Sequence, residues 1–166
     1  FKKKIIYLFL LLAVGCLLFA LSAWPEISSR FSVSLTEPAV SLRAFYNETA
    51  LLLIKEHPFI GIGLGNFVWE ISRQLNLLVS WLHQPVHNIY LLIASEIGLI
   101  GLGFFLFFII FILRQGFKNL KENLYVSCLL FQVSGFLIIG LFDHFFWTLQ
   151  QGQLMFWILL GILASL

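Results

Sequence analysis

From residue 88 to residue 113 the chain carries a single charge, Glu96, in an otherwise apolar stretch. A helix needs roughly 20 mostly apolar residues to cross a bilayer, and no other feature limits the fold as much. Residues 5–24 form a second such run, interrupted by nothing more polar than Cys16 and Ser22. Residues 124–142 form a third, carrying Gln132 and Ser134, and residues 153–166 begin a fourth. The composition agrees: 60% hydrophobic and 11% charged, with a mean hydropathy of +0.97, where soluble domains average about half apolar and a quarter charged. An ordinary soluble fold, a disordered chain, a disulfide scaffold and a nucleic-acid binder are all excluded. The expected class is an all-α polytopic membrane protein with about four transmembrane helices. Residues 5–24 are too long for a signal peptide, and Pro25 and Glu26 stand where a cleavage site would need small residues. The chain opens on Phe1 without a Met and stops inside an apolar run at Leu166, so it reads as a piece of a longer protein.

Six of the ten Lys and Arg fall in two short segments, Lys2, Lys3 and Lys4 before the first run and Arg114, Lys118 and Lys121 in the 114–123 loop. The positive-inside rule places both in the cytoplasm. Residues 25–87 then form one long periplasmic segment and residues 143–152 a periplasmic turn. Trp24, Trp69, Trp81 and Trp147 lie in or beside these outer segments, as interface anchors do. Cys16 and Cys128 sit within spans and read as small apolar fillers.

Polar chemistry gathers in the 25–87 segment. Pro38 suits the first turn of a helix, with Thr36 or Glu37 as its cap. From there to Glu56 the spacing of Leu42, Tyr46, Thr49 and Leu53 predicts an amphipathic helix, with Phe45 and Ala50 flanking the apolar face. Glu48 and Lys55 fall on the opposite side, and Arg43 and Asn47 on the edge. An arginine there either snorkels at the membrane surface or enters an anionic site. His57-Pro58 ends the helix, because the residue before proline is pushed out of the α region. The glycines at 61, 63 and 65 read as a plain turn or, less economically, as an anion-binding nest.

His83 and His87 are four apart, but Pro85 lies between them and no further ligand completes a metal set. Asn88 is a good N-cap for the following span, which puts His87 at a helix N-terminus. The positive end of that helix disfavours an imidazolium, so His87 is expected neutral and able to accept a proton. Glu96 lies roughly 13 Å deeper on an ideal helix, on the opposite side from His87. Ala94, Gly98 and Gly101 form a small-residue stripe that reads as a helix-packing face. Asp143 and His144 open the last outer turn, among Phe142, Phe145, Phe146 and Trp147.

Residues 43–101 resemble the conserved domain of the O-antigen ligase / O-antigen polymerase superfamily of bacterial membrane glycosyltransferases. The resemblance rests on Arg43, on the stretch from Glu56-His57-Pro58 through the glycines to Asn66-Phe67, and on His87-Asn88-Ile89-Tyr90-Leu91 with Gly98 and Gly101 following. It implies a glycosyltransferase C-like helix bundle in the bacterial inner membrane, with its active site facing the periplasm. The implied donor is an undecaprenyl pyrophosphate-linked glycan. The implied acceptor is a hydroxyl of lipid A core sugar, of the growing glycan, or of a protein Ser or Thr. No cofactor and no metal are implied, and no nucleic acid.

Carried over by position, the family's loop arginine is Arg43 and its motif histidine is His87, with Asp143 the candidate for a late acidic residue. Arg30, Asn88 and His144 are candidate substrate-binding residues. Asn47 departs from the bulky residue usual four places after the arginine, and Arg30 does not replace the essential upstream arginine of the ligases. In this reading His87 takes the acceptor proton, Arg43 binds the pyrophosphate, and Asp143 orients or polarises a partner. The alternative from a different class is a proton-coupled transporter using Glu96 as a relay, which would want helices broken near mid-membrane.

Overall fold

The computed structural model describes Ser22, Trp24 and residues 38–75, 82–119 and 124–165. By internal contacts the chain forms two units, Phe1–Ser41 and Leu42–Leu166, and the second holds nearly all the described residues. The span expected at 5–24, its flanking lysines and Arg30 lie outside the described residues. Every regular element among those described is helical: α1 (Pro38–Glu56), α2 (Phe67–Leu75), α3 (Ile89–Lys118), α4 (Leu124–Ile139), α5 (Phe145–Thr148) and α6 (Gln150–Ala164). One of them, α3, is long and apolar enough to cross a membrane, while α4 and α6 are shorter apolar helices. The last turn is itself helical in α5, and α6 begins at Gln150, earlier than the hydropathy of residues 153–166 suggests.

α1 begins on a proline and stops where Pro58 forbids continuation, with Lys55 in its last turn beside the negative helix end. It buries Tyr46, Thr49, Ala50 and Leu53, and these pack with Phe67 and Ile71 of α2 and with Val86 and Leu92. A second cluster joins α3, α4, α5 and α6 around Ile93, Ile109, Leu130, Phe146, Phe156 and Leu160. Gly116 admits Leu163 and Leu130, so α3 and α6 approach closely at that level.

α3 is not the single rod expected of a span. It breaks at Gly98, where φ is 75° and ψ 177°, a conformation essentially confined to glycine. The break is closed by the loop that follows α1. Ile62 N–H donates to Ser95 O at 2.9 Å, Gly63 N–H to Glu96 O at 2.8 Å, and Leu99 N–H to Pro58 O at 2.8 Å. Backbone groups freed by the break thus find partners, as an apolar setting requires. A Cβ on Gly98 would lie 2.1 Å from Phe59 O, and one on Gly61 2.4 Å from Glu96 O. The reading of Gly98 as part of a helix-packing stripe is therefore corrected: it admits a loop backbone. At Gly101 the atoms nearest an added Cβ belong to Ile97 of the same helix.

Candidate functional site

Asn88 caps α3 through local bonds, its Oδ1 accepting from Tyr90 N–H at 2.9 Å and Leu91 N–H at 3.1 Å. Those two amides fix the orientation of the side-chain amide, whose Nδ2 donates to Leu141 O at 3.2 Å. Ile89 N–H donates to Gly140 O at 2.8 Å alongside. The start of α3 is thereby tied to the chain just before Asp143, and His87 is brought against His144.

The His87 ring is held on two sides. Tyr46 stacks on it with centroids 6.3 Å apart and planes 8° from parallel, and His144 meets it edge-on at 5.0 Å and 85°. The Tyr46 hydroxyl donates to Leu82 O at 2.5 Å, and burial pushes this phenol above its usual range, so it stays protonated. His87 Nδ1 is buried and has no hydrogen-bond partner among the described residues. Thr148 Oγ1 lies 2.6 Å from His144 Nδ1 and donates its own hydrogen to His144 O at 3.2 Å.

Burial holds His144 below its usual value of 6.5; charge on His87 adds to this, and Asp143 and the backbone oppose it. The sign for stability follows from linkage. Below the ordinary value the unfolded chain takes up a proton that the folded chain refuses. Stability present above 6.5 is therefore lost as the pH drops through the folded value. The melting temperature in detergent is expected to fall between about pH 7 and pH 5, and His144→Gln to flatten that stretch of the curve. An unchanged slope in the variant would assign the titration to another group.

Asp143 stands in the turn that leads to α5. Its Oδ1 accepts from His144 N–H at 2.6 Å and Phe145 N–H at 3.0 Å, so it organises the turn backbone. Arg43 is exposed and has no ion-pair or hydrogen-bond partner among the described residues. It lies three residues before Tyr46 on α1, a neighbouring position on the helix surface. Tyr46 and Thr148 were missed as site residues. The signal for Tyr46 was a phenol on an apolar helix face, which needs a partner for its hydroxyl.

Glu96 is buried, and its carboxylate accepts from Phe67 N–H at 3.3 Å at the start of α2. The glycine-rich loop therefore directs two amides, those of Ile62 and Gly63, to α3 carbonyls. The carboxyl group of the chain's own Glu96 sits at the N-terminus of α2. A cavity of about 510 Å³ lies alongside, lined among others by Pro85, Glu96, Trp147, Thr148 and Gln153. Among the described residues no three metal-ligating side chains converge.

Packed helices, one of them able to cross a membrane, with a histidine-centred polar cluster at the start of that span, define a helical membrane protein with one chemically equipped end. The sequence model of the O-Antigen ligase family matches residues 1–106, and the chain belongs to that family. The match takes in Arg43, His87 and Asn88 and ends before Asp143 and His144. No curated protein and no solved structure matches the chain. Membership implies a glycosyltransferase-type enzyme of lipopolysaccharide biosynthesis in the bacterial inner membrane, acting on a lipid-linked glycan and an acceptor.

Proposed function

We propose that this protein transfers a glycan from undecaprenyl pyrophosphate to an acceptor hydroxyl at the periplasmic face of the inner membrane, without a metal, in a bundle whose four spans include residues 5–24. The observation that carries the reading is the His87 ring, gripped by Tyr46 and His144 at the capped start of α3. Arg43 is free one turn from Tyr46. His87 removes the acceptor proton as the hydroxyl oxygen attacks the anomeric carbon. The bond from that carbon to the pyrophosphate oxygen breaks, and the lipid pyrophosphate leaves with the electron pair. Arg43 binds it bidentately as charge accumulates. Asp143 acts through the turn, holding His144 against His87. The cavity beside Thr148 seats part of the donor, and Asn88 completes the substrate contacts.

The transporter alternative gains nothing from the break in α3. Its freed backbone groups are bonded to the loop, and Glu96, which lines the cavity, accepts from Phe67 N–H. The test is transfer by the purified protein in vesicles, using undecaprenyl pyrophosphate-linked glycan and, separately, lipid A core, free glycan and a Ser/Thr peptide. Product with one acceptor, inverted at the anomeric carbon, is expected. Retention of configuration would overturn direct attack, and no product with any acceptor would overturn the class.

A further inference from the structure

α3 is 30 residues long, roughly 45 Å at 1.5 Å per residue, well beyond a hydrocarbon core of about 30 Å. Residues 99–118 alone measure about 30 Å. The surface of α3 changes character at the same point. Leu92 through Glu96 and Gly98 are buried, whereas Leu99, Ile100, Phe104, Phe107 and Phe111 are exposed.

The loop clamped at the break shares that level, because Pro58 O accepts from Leu99 N–H and Phe59 packs its backbone on Gly98. Its side chains turn outward: Phe59 is 68% exposed, Ile60 79% and Leu64 69%. The patch is continuous with the apolar flank of α3 that begins at Leu99. On α2, which follows the loop, Trp69 is 60% exposed with the Arg73 guanidinium 5.4 Å over its ring, the residue types that populate a membrane–water interface. Within the loop Gly61, Ile62 and Gly63 N–H are bonded, which limits the cost of holding its backbone at the edge of the hydrocarbon.

We infer that residues 58–64 are a membrane-inserted anchor: the hydrocarbon begins at the Gly98 break, residues 99–118 alone cross it with Arg114 and Lys118 snorkelling to the cytoplasmic headgroups, and Phe59, Ile60 and Leu64 lie among the acyl chains of the outer leaflet. Glu96 and the buried first half of α3 then stand outside the hydrocarbon, and His87, eleven residues before the break, stands on the order of 16 Å above the boundary. The inference needs only the membrane location of the family and is independent of the proposed chemistry.

The test uses the protein in phosphatidylethanolamine/phosphatidylglycerol vesicles, with Cys16 and Cys128 replaced by serine and a nitroxide on Ile60→Cys. Collision with oxygen, which partitions into acyl chains, is compared with collision with a water-soluble nickel chelate. The oxygen-to-nickel ratio is expected to match that of a label at Phe104 and to exceed several-fold that of one at Lys55. A ratio like that of Lys55 would put the loop in water and overturn the inference. Low collision with both probes would show protein covering the patch, from residues 1–37, another segment or a second copy, and would overturn it equally. A label at Leu64 repeats the reading at a second position, and neither exposed site disturbs the packed core.

Discussion

Gly98→Ala is expected to destabilise the protein more than any other single methyl addition. The new Cβ would stand 2.1 Å from Phe59 O, 2.2 Å from Phe59 C and 2.5 Å from Ile60 N, all backbone atoms that cannot rotate away. The alanine would also inherit a φ of 75° with ψ near 180°, a region that costs on the order of 1–3 kcal/mol for a non-glycine residue. Relieving the clash means undocking the loop, which surrenders the bonds from Leu99 to Pro58 and from Ile62 and Gly63 to α3 carbonyls. Each such bond contributes about 1 kcal/mol net, and more where water cannot replace it. A loss of about 4 kcal/mol or more follows.

Thermal unfolding in detergent, followed by tryptophan fluorescence, measures it. Two companions separate the causes. Gly65 has a φ of 77° but open space around it, so Gly65→Ala reports backbone strain alone. Gly103 is helical and unobstructed, so Gly103→Ala is expected to be neutral or slightly stabilising. If Gly98→Ala melted with Gly103→Ala, the loop would not be docked on the break.

His87→Ala is expected to reduce glycan transfer by about 10²- to 10⁴-fold, the usual contribution of a positioned general base. Removing the ring also empties the space between Tyr46 and His144, so loss of activity alone would not distinguish chemistry from packing. Tyr46→Phe provides the contrast. It keeps the stacked ring on His87 and removes only the bond to Leu82 O, so it is expected to lower stability by about 1 kcal/mol while retaining most of the transfer rate. Arg43→Lys is expected to lose most activity despite keeping the charge, because an ammonium cannot bind pyrophosphate through two parallel bonds. Wild-type transfer by His87→Ala would reduce this residue to a neighbour of a helix cap and remove the proposed base.

Much of the local structure was legible in the residues themselves because the bonds that make it are local. Asn88 meets amides two and three residues away, so its capping role could be read from the sequence. Pro58 ends α1 by its own geometry. The three- and four-residue spacing of Leu42, Tyr46, Thr49 and Leu53 picks out side chains that the fold packs or buries. The family, too, was legible in short spans, since its motifs are runs of neighbouring letters.

The misreadings share one physical cause, contacts between distant parts of the chain. Gly98 looked like one member of a packing stripe because a glycine is written the same way whether it admits a helix, admits a loop or adopts a positive φ. The partner of Glu96 could not be read from the sequence because Phe67 is 29 residues away. The contact of His144 with His87 was not legible either, because hydropathy counts spans and cannot say which side chain meets His87. From sequence alone came the apolar character, the start and stop of α1, the cap of α3 and the family. Tertiary structure alone decided where α3 breaks, what closes the break, and which rings enclose His87, because those outcomes depend on backbone groups finding partners across the fold.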